Sequence, residues 1–504
     1  MSARERLERA GGILLHITSL PGRVGIGDLG AGAHRFIDFL ADCGLRLWQV
    51  LPLGPTNLKG MYSPYFSPSA FASNPLLLDL ESLVEQGLLA RDVLDGAPRF
   101  PDGHVEFAEV APFKEAVLEQ ASAAFRVRAT PKQQEALAQF RQEHRAWLED
   151  YALYTALREA QGVAWNEWPL PLRLRAPEAL EEARRRLADR IFHHEYLQFE
   201  FDRQYAVLRR HADARGVRLL GDLPMYVGHD SVDVWGHPSQ FRLDPVTLMP
   251  AAEAGVPPDV FAEDGQHWGN PVYNWERLKQ DGYDWWIRRV RQSLQLFHLV
   301  RLDHFRGFEA FWSFPAGARP AAGAWARGPG KALFDAMLRQ LGELPIVAED
   351  LGNITPEVHA LREACGFAGM AVVQFAFDGN PHNPHLPHLH SRSCVAYTGT
   401  HDTMTAAQWV RSIDEGTRQR FQRLVETPGP DGAHWDLIRM TWRSPATYAL
   451  APLQDVLGLG AEAQMNIPGT VDLSNWSWRF SWDQLTDRVS EQLSALTRAT
   501  GRGR

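Results

Sequence analysis

Eight short apolar runs, rich in Val, Ile and Leu, recur along the 504-residue chain, and each ends in polar residues or in Gly and Pro. Most are separated by segments whose apolar residues recur every three or four positions, as in helices. The runs are GILLHITSL (from Gly12), LRLWQVLPL (from Leu45), VRLLGDLP (from Val217), LVRLDHF (from Leu299), PIVAEDLG (from Pro345), MAVVQFAF (from Met370), CVAYTGTHD (from Cys394) and YALAPLQDVL (from Tyr448). Strands buried on both faces have this character, so the pattern predicts an α/β fold, a (β/α)8 TIM barrel forming one catalytic domain over residues 1–504.

Two long intervals interrupt the alternation, after the second and third runs. Residues 66–216 carry helical periodicity and predict an inserted helical subdomain. Residues 227–297 are rich in Gly, Pro, Trp and Asp, which predicts a lid or subdomain at the rim where the βα loops of a barrel lie. The stretch PAGARPAAGAWARGPG after Phe314 predicts a further long loop, and the C-terminal TGRGR predicts a frayed end.

Composition excludes several classes of partner. A formal charge of -9 argues against nucleic acid, which requires a dense positive field. Three cysteines without metal-ligand spacing favour neither a disulfide framework nor zinc, and they fit a reducing cytoplasm. The N-terminus lacks the apolar core of a secretory signal and no apolar run has membrane-spanning length, so we expect a cytoplasmic protein without a membrane or obligatory protein partner.

Four of the eight runs end in an acid: Asp222, Asp303, Glu349 and Asp402. In a barrel these strand ends meet at one mouth, and gathering like charges is a cost that enzymes tolerate to tune acid and base groups. The strand period of two puts Arg301 beside Asp303, which would keep that carboxylate ionised as a nucleophile. The charge of Asp303 would raise the pKa of Glu349 and suit it to be a general acid. Two carboxyl groups roughly 5 Å apart define a retaining glycosidase.

A metal-dependent barrel hydrolase is the rival from another chemical class, because His16, His304, His401 and Asp402 follow or end predicted strands. No HxH or HExxH spacing occurs, and Arg301 would repel a cation, so we expect no metal. Neutral donors and acceptors lining a sugar subsite explain the same residues.

Three further polar residues receive structural interpretations. Asp350 should point away from its neighbour Glu349 on a strand, as a turn cap. Asn353 and Asn475 open glycosylation-like triplets, which have no physical consequence without secretion.

Long, ordered motifs carry a resemblance to a known family over nearly the whole chain. They are GILLHITSLPG, WQVLPLGPT, SPY, SAFASNPLLLDL, GDLPMYVGHDSVDVW, AGVPPDVF, GQHWGNPVYNW, FHLVRLDHFRGFEAFW, AEDLGNITPEV, QFAFD, YTGTHD, QDVLGLG, MNIPG and NWSWR. The chain resembles the bacterial amylomaltases, also called 4-α-glucanotransferases or disproportionating enzymes, of the α-amylase clan. The resemblance implies transfer of an α-1,4-glucan segment from malto-oligosaccharides, starch or glycogen-derived glucans to the 4-hydroxyl of another glucan or of glucose.

Matched motif by motif, the resemblance implies that Asp303 is the nucleophile, Glu349 the acid/base and Asp402 a third carboxylate that binds and distorts the reacting sugar. It implies substrate contacts by Arg301, His304, His401 and Asp222 in the central subsites, by Tyr65, Trp268 and Asn270 along the glucan path, and by Asn466 and Pro468 in a late loop. It implies no metal or organic cofactor.

The chain departs from the family pattern at a few positions: Val260 replaces an aromatic residue, NLKGMY replaces a short GYGD segment so that Tyr62 precedes SPY, Thr403 and Met404 replace an Asn-Asp pair, and Gln464 replaces Arg. The loss of one aromatic residue predicts more hydrolytic leakage. Transfer should still dominate. An α-amylase-like retaining hydrolase of α-1,4-glucans is the alternative within glycoside chemistry. A glucan-binding protein with a dead site is disfavoured because all three acids are present.

Overall fold

A computed structural model describes residues 8–258, 264–425 and 428–503. The described residues form two sheets. Their strands are β1 Ala10–Leu14, β2 Leu47–Gln49, β3 Arg218–Leu223, β4 Ala252–Val256, β5 Gln266–Pro271, β6 Leu299–Leu302, β7 Ala310–Pro315, β8 Ala324–Arg327, β9 Ile346–Ala348, β10 Gly369–Val372, β11 Cys394–Tyr397 and β12 Tyr448–Pro452.

Eight parallel strands form the larger sheet, in the order β10-β11-β12-β1-β2-β3-β6-β9. Its two ends meet through a parallel bridge between Val347 and Ala368, and the amide of Ala348 donates to the Ala368 carbonyl at 2.8 Å. The sheet therefore closes, and the predicted (β/α)8 barrel is confirmed. Each barrel strand overlaps one of the eight apolar runs.

Side chains drawn from the barrel strands fill the interior, among them Leu47, Leu220, Val347, Val395 and Leu450. The alternate residues of the same strands face the surrounding helices, since successive side chains of a strand point to opposite faces. Burial on both faces explains why these strands read as continuous apolar runs.

The helices are α1 Ala31–Asp42, α2 Leu80–Glu85, α3 Arg91–Asp95, α4 Phe107–Arg128, α5 Pro131–Glu143, α6 Arg145–Gln161, α7 Leu170–Arg173, α8 Pro177–Arg186, α9 Ala188–Arg215, α10 Val232–Gly236, α11 Trp275–Gln280, α12 Asp284–Leu296, α13 Lys331–Leu341, α14 Pro356–Cys365, α15 Ala406–Ser412, α16 Glu415–Leu424, α17 Ala433–Arg443, α18 Leu453–Val456 and α19 Asp487–Ala499. Within the described ranges, none of them combines the length and the apolar character needed to cross a membrane.

Helices α2 to α9 all lie between β2 and β3, in the interval where the sequence predicts a helical insertion. The last of them, α9, packs against α1 and β3. It ends at Arg215, and the following Gly216, with a positive φ of 69°, turns the chain into β3, so α9 also serves as the crossover helix of the barrel. The insertion boundaries 66–216 remain a prediction.

The smaller sheet is antiparallel, with the order β5-β4-β7-β8, and it joins the segment after β3 to the segment after β6. The stretch after Phe314 lies in the connection between β6 and α13, as expected for a βα loop, but it is not wholly irregular, because it contains β8, which pairs with β7. Helix α12 packs against β3 and β6, which makes it a barrel helix at the end of the interval 227–297. Those boundaries stay a prediction, and Val260 lies outside the described residues.

The C-terminal segment is anchored through Arg502, which is completely buried. Its Nε donates to the Trp442 carbonyl at 2.6 Å. Its Nη atoms donate to the carbonyls of Ala10, Thr447, Ser444 and Ala446. The expected frayed end is therefore wrong up to Gly503, because one guanidinium satisfies carbonyls at the N-terminal ends of β1 and β12.

Candidate active site

Two carboxylates share one buried guanidinium at the C-terminal ends of β3 and β6. Arg301 donates from Nη1 to both oxygens of Asp222, at 2.8 and 2.7 Å, and its Nη2 lies 3.0 Å from Oδ1 of Asp303. The strands pair Asp222 with Arg301 in register, which explains the first contact. Burial alone would lower the pKa of Arg301, but the charges of Asp222 and Asp303 raise it above its ordinary value. The sequence-based placement of Arg301 beside Asp303 is confirmed.

Glu349 stands next to Asp303 at the mouth, because Leu302 and Ala348 pair in register and each acid follows directly. Its two carboxyl oxygens accept the amides of His304 and Leu351, both at 2.8 Å. Burial, assisted by the charge of Asp303 and opposed by Arg301, raises the pKa of Glu349 to about 7. A substantial fraction of Glu349 is therefore protonated at neutral pH, as a general acid requires.

Asp402 differs from Glu349 in its charge state. Its carboxylate lies 3.2 Å from Nε2 of His401, and Asn466 donates to its Oδ1 at 2.6 Å. Partial loss of water among the surrounding site residues would by itself raise the pKa of Asp402, but His401 and Asn466 lower it to about 2. The side chain is 45% exposed, so an ionised carboxylate remains open to a ligand.

Tyr65 connects the group around Arg301 with the group around Asp402. Its hydroxyl donates to Oδ2 of Asp222 at 2.6 Å, and its ring stacks on His401 with centroids 5.1 Å apart. The ring of Trp476 lies 5.7 Å from Tyr65 and 6.0 Å from His401. The sequence did not single out Trp476 as a site residue, and only the motif NWSWR could have drawn attention to it.

The remaining predicted residues extend the site beyond the acids. His304 follows Asp303 with a positive φ of 50°, and Trp268 meets its ring edge-on with centroids 5.0 Å apart. Burial lowers the pKa of His304 to about 4, so it is neutral near pH 7. Asn270 donates to the carbonyl of Val227 at 2.9 Å. Pro468 lies exposed, two residues beyond Asn466 in the same loop.

Asp350 faces away from Glu349, as expected for adjacent residues on a strand. Its carboxylate accepts the amide of Met370 at 2.7 Å and Nη1 of Arg362 at 2.8 Å. It therefore fastens the next strand and helix α14 rather than capping its own turn.

Three of the departures from the family pattern have clear local partners. Tyr62 stacks on Phe107 with centroids 4.4 Å apart, and Gln464 donates to the carbonyl of Asn466 at 2.9 Å. The hydroxyl of Thr403 accepts the amide of Thr400 at 3.0 Å, so this residue closes the turn that carries Asp402. Over the ranges that the structure covers, no group of three or more His, Cys, Asp or Glu residues is placed to hold a metal ion.

Comparison with known proteins decides the family. The family model for 4-alpha-glucanotransferases, glycoside hydrolase family 77, matches residues 15–486. The chain belongs to this family. Members similar to it are the 4-alpha-glucanotransferases of Synechocystis sp., 47% identical over 98% of each chain, and of Thermus thermophilus, 46% identical over 98% of this chain and 99% of the relative.

A solved member of the family has the same architecture. The amylomaltase from Streptococcus agalactiae in complex with acarbose is 34% identical, with a TM-score of 0.95, over 99% of this chain and 100% of that one. The amylomaltase from Corynebacterium glutamicum, 18% identical with a TM-score of 0.78 over 97% of this chain and 75% of that one, shares the fold. The resemblance stated from the motifs is confirmed.

Proposed function

We propose that Asp303, Glu349 and Asp402 carry out glucan transfer by a retaining double displacement. Membership of the family makes the protein a 4-α-glucanotransferase, an enzyme that moves a segment of an α-1,4-glucan to another glucan. The observation that carries the mechanism is the pairing of Asp303, bound to Arg301 at 3.0 Å, with Glu349, whose pKa is raised to about 7. A guanidinium contacts the first carboxyl group, while the neighbouring Glu349 keeps a proton over part of the neutral pH range.

In the first step Asp303 attacks the anomeric carbon of the donor glucan, and Glu349 gives its proton to the departing glycosidic oxygen. The leaving chain departs with a free 4-hydroxyl, and the donor segment becomes an ester of Asp303. In the second step Glu349 takes the proton from the 4-hydroxyl of an acceptor, whose oxygen displaces Asp303. Two inversions at one carbon give net retention.

Asp402 is the third carboxylate that supports the transition state. The oxocarbenium-like transition state carries positive charge on the sugar ring, and an ionised carboxylate stabilises that charge. His401 and Asn466 keep Asp402 ionised, as its pKa of about 2 indicates. We assign Asp402 the binding and distortion of the reacting sugar.

Transfer requires that an acceptor sugar outcompete water, which is present at roughly 55 M, by a high effective molarity at the site. Tyr65 and Trp268 offer ring surfaces on which the apolar faces of glucose units stack. Malto-oligosaccharides, starch and glycogen-derived α-1,4-glucans are therefore the proposed donors and acceptors. The three cysteines are free thiols, which fits the reducing cytoplasm as the place of action.

Incubation with maltotriose alone tests this proposal, with products separated by size and reducing ends counted. Transfer exchanges one glycosidic bond for another, so we expect glucose plus a ladder of longer chains at nearly constant reducing ends. Reducing ends that rise in step with substrate consumption, without products longer than maltotriose, would make the protein a hydrolase. Asp303→Asn, expressed and purified in the same way, controls for contaminating activity.

A further inference from the structure

The loop from Asn466 to Trp476, here called the late loop, touches the third carboxylate at its first residue. Asn466 donates from Nδ2 to Asp402 at 2.6 Å, and its amide donates to the carbonyl of His401 at 3.1 Å. The orientation of Asp402 therefore depends on where the late loop holds Asn466.

Asn475 fastens the late loop from inside. This side chain is buried, with 4% exposure. Its Oδ1 accepts the amide of Ile467 at 3.1 Å, and its Nδ2 donates to the hydroxyl of Thr470 at 3.1 Å. The Thr470 hydroxyl in turn donates to the Ile467 carbonyl at 2.7 Å. One side chain thus holds the peptide units on both sides of Ile467, directly after Asn466.

Trp476 closes the base of the late loop. Its amide donates to the Met465 carbonyl at 2.7 Å, and its φ of 66° is a left-handed value that residues other than glycine adopt at a cost. This backbone conformation goes with a ring placed against Tyr65 and His401. The two neighbours therefore act on Asp402 through different residues. Asn475 holds the segment that carries Asn466, and Trp476 packs against His401.

We propose that Asn475 is a positioning residue for glucan transfer, which acts by holding Asn466 against the Asp402 carboxylate. The inference rests on the proposed function, because it assumes that Asp402 acts on the reacting sugar. It gives a role to a residue whose Asn-Trp-Ser triplet otherwise resembles a glycosylation signal. Asn475 itself is buried behind the loop, so its effect on the sugar passes through Asn466.

A double-mutant cycle with Asn466→Ala and Asn475→Ala tests the inference by steady-state kinetics on maltotriose. A hydrogen bond to a charged group supports a loss of about 10- to 100-fold in kcat for Asn466→Ala. We expect Asn475→Ala to lose a similar factor, with KM changed less than about twofold because the interaction matters in the transition state. Because Asn475 acts through Asn466, the double variant should lose no more than the worse single variant.

Thr470 provides a second set of variants on the exposed side of the loop. Thr470→Val removes the hydroxyl that Asn475 contacts and should lower kcat, whereas Thr470→Ser keeps the hydroxyl and should restore it. Asn380→Ala is the matched control, because its side chain accepts a loop amide, that of His382, at 2.9 Å outside the site. It should keep kcat within about twofold.

Losses for Asn466→Ala and Asn475→Ala that multiply in the double variant would overturn the inference, since independent effects mean that Asn475 is only structural. Unchanged kcat in both Asn475→Ala and Thr470→Val would overturn it as well. Wild-type protein that fails to lengthen maltotriose would instead refute the proposed function. The two failures are therefore distinguishable.

Discussion

Two buried arginines lie at opposite ends of the same barrel and are held by different partners. Arg301, at the C-terminal ends of the strands, contacts the carboxylates of Asp222 and Asp303. Arg502, at the N-terminal ends, donates to backbone carbonyls. Neighbouring carboxylates raise the pKa of Arg301, whereas burial and the charge of Arg9 lower that of Arg502.

The different partners indicate different roles: Arg301 supports the chemistry of the site, and Arg502 supports the stability of the fold. A cation shared by carboxylates offsets their mutual repulsion and fixes their position, and it matters for the charge that develops in a transition state. A cation held by carbonyls satisfies polar groups that would otherwise be buried without partners. Substitutions at the Arg301 end should therefore change turnover, and substitutions at the Arg502 end should change stability.

The largest effect is expected for Asp303→Asn, which should lower kcat by several orders of magnitude at little cost in stability. The amide can neither attack the sugar nor stabilise the oxocarbenium-like transition state. Turnover of maltotriose and thermal unfolding provide the measurements. Asp335→Asn, at a helical carboxylate paired with Lys331, is the control and should retain turnover. Near-normal activity in purified Asp303→Asn would refute the assignment.

Glu349→Gln should nearly stop transfer from oligosaccharides, which need a proton on the leaving oxygen. A glycosyl fluoride donor needs little protonation and should still react in the first step. The measurement is the rate of the first-turnover burst of fluoride release, compared with the rate of the first turnover of maltotriose; we expect this ratio to rise strongly above that of the wild type. Equal losses on both donors in the first turnover would mean that Glu349 is not the acid.

An exchange of arginine for lysine at the two ends tests the comparison itself. Lysine keeps the charge but lacks the planar fork that reaches two carboxylates at once. Arg301→Lys should therefore lower kcat by about 10- to 100-fold, the range for hydrogen bonds to charged groups. Arg502→Lys should keep most activity at low temperature. Similar losses of kcat in Arg301→Lys and Arg502→Lys would contradict the view that Arg301 supports turnover and Arg502 supports stability.

Stability should respond in the opposite order. Arg502→Met leaves several buried carbonyls without a donor and should cost about 3 kcal/mol of unfolding free energy, seen as a lower Tm. Arg498→Ala, at an exposed position of α19, is the matched control and should leave the Tm nearly unchanged. A Tm unaffected by Arg502→Met would contradict the anchoring role.

The mildest perturbation is a change of pH, because it leaves every side chain in place and is graded. The pKa of Glu349 is raised from its ordinary value to about 7, so the protonated form needed in the first step is present below that pH and is lost above it. We expect kcat/KM to fall about tenfold per pH unit on the basic side. A profile that stays flat to pH 9 would show that Glu349 does not control the first step.

The barrel and its acids were predictable because their signals are local. Parallel strands buried on both faces read as apolar runs, and their C-terminal ends must converge, which singles out Asp222, Asp303, Glu349 and Asp402 from the sequence alone. The position of Arg301 beside Asp303 followed from the strand period.

What the sequence did not predict depends on distant partners. Strand β8 forms only because β7 lies beside it, and its Ala-, Gly- and Pro-rich surroundings resemble a loop. Arg502 donates to carbonyls of residues more than fifty positions away, and no local sequence pattern predicts such contacts. The contact between the rings of Trp476 and Tyr65 also joins residues far apart in the sequence, so no local pattern predicts it.

The central claim is that Asp303 becomes covalently linked to the sugar, and trapping that ester tests it most directly. Glu349→Gln should form the intermediate from a maltosyl fluoride donor but pass it on slowly, because it lacks the base that activates the acceptor. Mass spectrometry of the protein should then show one added maltosyl unit, and peptide mapping should locate it on the peptide that contains Asp303. A maltosyl group on another residue, or no adduct while fluoride is released, would contradict the account.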